Sequence, residues 1–490
     1  MNVLFGTEPL LYPSLGPAVL HFIRTSYGLL LLATLLGALP HARRYFLSER
    51  WGGYGERGLA VDVLQNPVVL PLLLIVWFAA AVALVIGRDV VLAALANVVL
   101  CRYFFIQMRW RGVLRGMGAP GFIAYWLGAA VLLLEYTQRA APELQGLALL
   151  ALQTDFALIM LSAGFYKFSA GYPQNEGMEL GMMNPEWGYW TRFWGRMRPG
   201  APAFRVFNQL AWSTEVVAAV LMLFPPTRQA GGLLILVSFI FIATQIRLGF
   251  LCEMVIVCCL LFAHPGGLID VWLSAAFPRP PALQVGRAPS LANAVLGAGF
   301  WTYLVLLPFA RAALSYNLYA KQALPGPLQR AIDVYTNAFG LIEWRVFSSD
   351  ITNFFIRVYE QPSAGARRLI SRWGETLRFS QVAESIAVTT LFTTLKYYPS
   401  NHRLFTDRLL RYARTVPCDP DSTLVFEYVS VLKRDDRFDF APVAEYVVAP
   451  GRRSVLERVL DHSVSVRAPA AASPIHEAAR PGSYAPRERQ

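Results

Sequence analysis

Nine apolar blocks, separated by short polar stretches, fill the chain from Ala18 to Leu314. They run Ala18 to Leu39, Val68 to Gly87, Val90 to Ile106, Pro120 to Tyr136, Leu147 to Phe168, Phe207 to Phe224, Ala230 to Ile246, Phe250 to Ala263, and Leu291 to Leu314. A helix needs ~20 mainly apolar residues to cross a bilayer. Eight blocks therefore predict spanning helices, and the short Phe250 to Ala263 block predicts an incomplete one.

The pattern changes at Tyr316. Charges become frequent and no later apolar block reaches spanning length. Phe354, Ile356 and Val358 alternate with Phe355, Arg357 and Tyr359, which is the period of a strand, and Thr423 to Val431 alternates likewise. Ser380 to Tyr398 reads as a helix, and Asn401 to Thr415 as a second one capped through Asn401. The expected architecture is an all-α polytopic membrane bundle over 1–315, an extramembrane α+β domain over 316–463, and a disordered Ala/Pro/Arg/Ser-rich tail over 464–490.

Composition agrees with the pattern. The 490 residues are 55% hydrophobic and the mean hydropathy is +0.41, too apolar for a soluble protein. A net charge of +12 would suit a nucleic-acid binder. Here the arginines stand in loops, where they set topology and meet anionic lipid heads, so the expected partner is the bilayer and not nucleic acid. In a bacterium this is the inner membrane. Four of the five cysteines (Cys101, Cys252, Cys258, Cys259) lie in apolar segments, Cys418 does not, and no CxxC exists, so they read as buried thiols. Met1 to Pro17 holds no basic residue, so no signal peptide is visible. The loops after the first, third and fifth blocks are the Arg-rich ones. With nine crossings this predicts an outside N-terminus and a cytoplasmic C-terminal domain; with eight, the domain changes sides.

Charges inside apolar helices cost roughly 2.5–3.5 kcal/mol each on insertion scales, so they point to a function or to a partner. Arg102, Glu135 and Arg311 lie near block ends, where long side chains reach the interface. On the fifth helix Asp155, Ser162 and Tyr166 share one stripe. Lys167 lies roughly 18 Å further along, beyond pairing distance of Asp155. Glu215, in Trp212-Ser213-Thr214-Glu215, is the expected spatial partner of Lys167, because the sixth block returns from the same loop. For Asp155 and Glu215 a structural network and a site role are equally open readings. After Lys167 the chain enters a polar loop with Glu176, Asn184 and Trp187, where a helix end meets a bilayer face; this loop reads as a binding site or as an aromatic interface belt. His21 reads as structural.

Ser162-Ala163-Gly164-Phe165-Tyr166-Lys167-Phe168-Ser169-Ala170-Gly171-Tyr172 resembles the vitamin K-dependent γ-carboxylase superfamily, whose bacterial members are called HTTM proteins. In that family a helix ends in Ala-Gly-x-x-Lys, and a loop with Glu-Gly follows, here Glu176-Gly177. Met183-Asn184-Pro185 with Trp187 and Tyr189 is similar to a stretch of the lipase maturation factors, as is Asn337-Ala338-Phe339-Gly340-Leu341. The likeness covers about 112–360. It implies Lys167 as a base, a site that includes Glu176, Asn184, Trp187 and Gln245, and a quinone-like lipid as cofactor; the charge pattern and the fifth-helix stripe add Asp155, Tyr166, Glu215 and Arg247 as candidate binding residues. The likeness also places the C-terminal domain on the lumenal side, against the arginine pattern. The family's His and Asn on one helix read here as Gln245 and Leu248, so carboxylation is not the first reading. The leading expectation is a membrane protein that acts on or assists a protein client or a lipid. A quinone-dependent, carboxylase- or epoxidase-like enzyme with Lys167 as base is the alternative. A small-molecule transporter is a third, disfavoured by the absence of a visible repeat.

Overall fold

The computed structural model describes residues 12–107, 118–175, 177–277, 290–320, 322–342, 344, 352–371, 379–397 and 399–460. Among them, eight helices are long and apolar enough to cross a membrane. Their cores are α1 (Pro17–Ala38), α2 (Val69–Ile86), α3 (Val90–Cys101), α4 (Gly118–Ala140), α5 (Gln145–Ser169), α6 (Pro202–Leu223), α7 (Arg228–Gln245) and, after the short α8 (Leu251–Cys259), α9 (Ser290–Tyr319). These follow the apolar blocks within a few residues, because block length and bilayer thickness are matched by the same rise per residue. The expected incomplete segment is α8 plus the 3₁₀ turn Leu260–Phe262. The Pro-containing stretch after Phe277, the basic stretch after Gln107 and the expected tail lie outside the described residues.

Apolar surface remains outside the bundle. Leu72, Ile75, Leu92, Leu210, Val217, Val237, Leu291 and Phe309 are among the exposed large hydrophobic residues, and they lie on helix faces turned away from the core. A water-soluble bundle buries such faces; a bilayer accepts them.

Contacts sort the helix ends into two groups. At one end Phe277 packs tilted against Phe22 near the start of α1 with centroids 5.3 Å apart, and Asn293 at the start of α9 donates to Glu143 between α4 and α5. At the other end lie the Lys167 turn, the loop after it and the C-terminal region. α8 leaves that second end at Phe250, and by Asp270 the chain is back beside Gly16. So α8, although short, carries the chain from one end to the other.

Beyond α9 come α10 (Gly326–Phe339), which packs back against α9 through Tyr335, Phe339 and Tyr303, and α11 (Phe379–Tyr397) and α12 (His402–Ala413), which pack on a five-stranded antiparallel sheet. Its strands are β1 (Phe354–Gln361), β2 (Arg368–Leu369), β3 (Thr423–Lys433), β4 (Phe438–Val448) and β5 (Val455–Val459), in the order β2-β1-β3-β4-β5. The expected cap holds: Asn401 Oδ1 accepts from the Leu404 amide at 3.0 Å. Strands β1 and β3 and both helices also appear where expected, although Phe354 to Ile356 and Leu424 to Glu427 are buried in succession rather than alternately. β4, β5 and α10 were not read from the sequence.

This region and the bundle share one continuous apolar core, from Leu15 to Val448. Arg44, beyond the end of α1, pairs with Glu384 of α11 and donates to Thr415 Oγ1 (2.7 Å) and to Thr415 O (3.0 Å) after α12. Gly340 ends α10 with φ +69°, and a Cβ there would lie 2.8 Å from the Tyr125 ring. That is the physical reason for glycine in the Asn337–Leu341 stretch: a left-handed helix end pressed against α4.

Candidate functional site

Lys167 sits in the last turn of α5, and Glu215 on the facing side of α6. Their approach depends on Gly164. A Cβ at that position would meet Val216 Cγ2 at 2.6 Å and Trp212 O at 3.0 Å, so only a glycine lets the two helices cross this closely. Lys167 Nζ donates to Glu215 Oε1 and reaches Ala211 O at 3.5 Å. Both residues are buried, at 5% and 1% exposure. The expected pairing of Lys167 with Glu215 is thus what the fold makes. Taking either charge out of water alone would cost several kcal/mol; together they offset much of it.

The pair is not saturated. Glu215 Oε2 is buried and has no hydrogen-bond partner among the described residues. Both residues face a pocket whose other walls are Tyr172, Met178, Ala211, Phe239, Ile242, Ile246, Leu248 and Trp344. Its cavity volume is ≈ 20 Å³. The enclosed part holds a water or two; a ring-sized ligand needs a wall to move. Burial pushes the Tyr172 phenol well above its ordinary range, and the neighbouring Glu215 adds to this, so the phenol stays protonated.

The loop after α5 forms the layer beside the pocket. Asn184 donates from Nδ2 to Thr352 O (2.9 Å) and Phe354 O (2.7 Å), and its Oδ1 accepts from the Glu186 amide. Glu186 accepts from the Ile356 amide at 2.9 Å and from Thr389 Oγ1 at 2.6 Å. These contacts cover the edge of β1 that β2 leaves bare, a common way to close a sheet edge. On its other side the loop is tied to the end of α7. The Arg247 amide donates to Trp187 O (2.7 Å), Arg247 Nη1 to Pro185 O (2.9 Å), and its guanidinium lies over the Tyr189 ring. Gln245 Oε1 accepts from Trp194 Nε1 at 3.2 Å.

The remaining sequence candidates fall elsewhere. Asp155 lies in a separate, filled cluster. It accepts from Trp126 Nε1 (2.8 Å), Tyr303 Oη (2.8 Å) and Arg311 Nη2 (2.9 Å). Arg311 also donates to Ile342 O at 2.7 Å. These contacts tie α4, α5 and α9 to the segment after α10. Arg311 and Glu135 do not reach for the interface: Glu135 pairs with Arg24 at 3.0 Å and with Arg139 at 3.1 Å, inside the core. His21 contacts Arg24 at 2.6 Å. Tyr166 is half-buried and does not line the pocket, and Glu176 lies outside the described residues.

Sequence reasoning missed Tyr172, Glu186 and Trp344. Tyr172 closes the Lys167 motif and could have been weighed with it. Trp344 comes from a segment far along the chain, and nothing local signals its place. Among the described residues no group of His, Cys, Asp and Glu could hold a metal ion. No family model, curated protein or solved structure matches the chain.

Proposed function

We propose that the chain is a multi-pass integral membrane protein with nine crossings, α8 being the short one. Its Lys167–Glu215 pair serves as a proton-transfer site for an apolar, proton-bearing molecule from the bilayer, of the lipid or quinone class. The observation that carries this reading is the spare Glu215 oxygen, buried and facing a pocket whose other walls are mostly apolar. Apolar walls with a few convergent polar groups are the usual make-up of a ligand site.

In this reading the acceptor is Glu215 Oε2 rather than the Lys167 amine, whose hydrogens are directed at Glu215 Oε1 and Ala211 O. The proton moves from the ligand head to Oε2. The Lys167 ammonium remains beside the anion that is left, and its charge offsets the cost of that anion in an apolar setting. The Ala163-Gly164-x-x-Lys167 likeness to the carboxylase superfamily supports the location of the site. The family's full reaction is not proposed, since Leu248 lines the pocket and Gln245 is bonded to Trp194. The C-terminal region lies on the end of the bundle that carries the Arg-rich loops, which supports a cytoplasmic domain.

Mass spectrometry of small molecules extracted from the purified protein tests the reading. Wild type carries a lipid or quinone above the level of an unrelated membrane protein from the same cells, and Glu215→Gln and Lys167→Met lose it while remaining folded. Equal retention by all three proteins would remove the proposal.

A further inference from the structure

The loop between α5 and α6 carries a second feature that the pocket does not use. From Trp190 to Arg205 there are four arginines and no acid: Arg192, Arg196, Arg198 and Arg205. All four are exposed, and none has a carboxylate partner among the described residues. Glu179, the acid that contacts this stretch, is buried, pairs with Lys433 and accepts from the Gly200 amide at 3.2 Å, so it does not cancel them. Arg205 folds back toward Gly200, its Nη2 4.0 Å from where a Cβ there would sit. Beside them Trp190 and Phe193 are 55% and 52% exposed, although neighbouring Trp194 is buried.

Height on the bundle gives this cluster its meaning. The exposed apolar stripe of α6 begins at Val206, one residue after Arg205, and continues through Leu210 and Val217. Trp190 Nε1 donates to Thr244 O at the end of α7, next to the exposed Ile240 and Phe241. The arginines and the two aromatic rings therefore stand where the apolar outer faces of α6 and α7 end. Aromatic rings at that level sit among lipid head groups, and uncompensated cations there attract anionic ones.

We infer that the Trp190–Arg205 turn is a binding surface for anionic phospholipid head groups, with Trp190 and Phe193 entering the interface and the four arginines holding the phosphates. The inference rests on the membrane reading above, but not on the pocket chemistry. It names the leaflet at this end of the bundle as the anionic one.

The full-length protein in mild detergent is mixed with equimolar phosphatidylglycerol and phosphatidylcholine, and bound lipid is counted by native mass spectrometry. Wild type is expected to retain phosphatidylglycerol over phosphatidylcholine. Changing all four arginines to Gln is expected to lower that preference by roughly fivefold per arginine, with retention of phosphatidylcholine unchanged. Arg88→Gln, an exposed arginine near the other end of the bundle, is expected to leave the preference intact. A four-Gln protein that is as selective as wild type overturns the inference, as does an Arg88→Gln protein that loses as much. Inorganic phosphate at millimolar level is expected not to displace the lipid; displacement would mean a free-anion site and would also overturn it. A chain that leaves the membrane fraction in alkaline carbonate would instead overturn the membrane reading itself, a separate outcome seen before any lipid is added.

Discussion

At the scale of single residues, Asp155, Glu135 and Glu215 are three buried, ion-paired acids of the described spanning helices, and of these three only Glu215 leaves a carboxylate oxygen without a hydrogen-bond partner. Asp155 uses both oxygens, on Trp126, Tyr303 and Arg311; Glu135 uses both, on Arg24 and Arg139; Glu215 uses one. This difference separates scaffold from site, and it was not legible in the sequence, where all three acids look alike. The pairing of Lys167 with Glu215 was legible, because adjacent antiparallel helices joined by one loop bring their near ends together. The partner of Asp155 was not, because α9 joins from far along the chain. Two predictions follow from the pairing. Asp155→Asn strands the buried Arg311 charge and should destabilise the protein by about 3–5 kcal/mol, read as a lower thermal midpoint in detergent. Lys167→Met and Glu215→Gln should each lower the midpoint, and the double variant should recover much of the loss, giving a coupling of about 1–3 kcal/mol. Additive losses in that cycle would mean that the two groups do not depend on each other.

At the scale of elements the site rests on one close helix crossing. Gly164→Ala puts a methyl within 3.0 Å of Val216 and of the Trp212 carbonyl, so α5 and α6 must separate. The expected loss is about 1–3 kcal/mol, the usual cost of overpacking. Gly299→Ala on α9 is the internal control. Its Cβ meets nothing within 4 Å, and alanine favours a helix over glycine, so its midpoint should hold or rise. The long helices were readable because spanning length and apolarity coincide. α1 to α9 appear at the blocks, and the Asn401 cap of α12 appears at its signal. β4 was not readable: Phe438 to Val448 carries Asp439, Pro442 and Glu445 among its apolar residues and lacks a clean period of two. Its register is set by β3, where Phe426 faces Tyr446 and Leu424 faces Val448, a tertiary pairing that leaves no local trace.

At the scale of the whole molecule the short α8 decides which side the C-terminal region occupies. The contacts of Phe277 and Asn293 place the chain at the far end after α8, which supports nine crossings and a C-terminal domain opposite the start of α1. With the Arg-rich loops on the domain side, Ser363→Cys in a Cys418→Ser background should resist an impermeant thiol reagent in intact cells and react after permeabilisation. Labelling from outside would reverse the orientation. The domain also completes the pocket, since Trp344 is one of its walls. The central claim is that this pocket receives a molecule from the bilayer and holds it through Glu215. It is tested most directly by placing a photo-crosslinking benzoylphenylalanine at Phe239, a wall residue, and irradiating intact membranes. The account predicts a lipid- or quinone-type adduct that falls strongly when Glu215→Gln is added. Adducts to protein alone, or a small-molecule adduct of equal yield in both backgrounds, would contradict it.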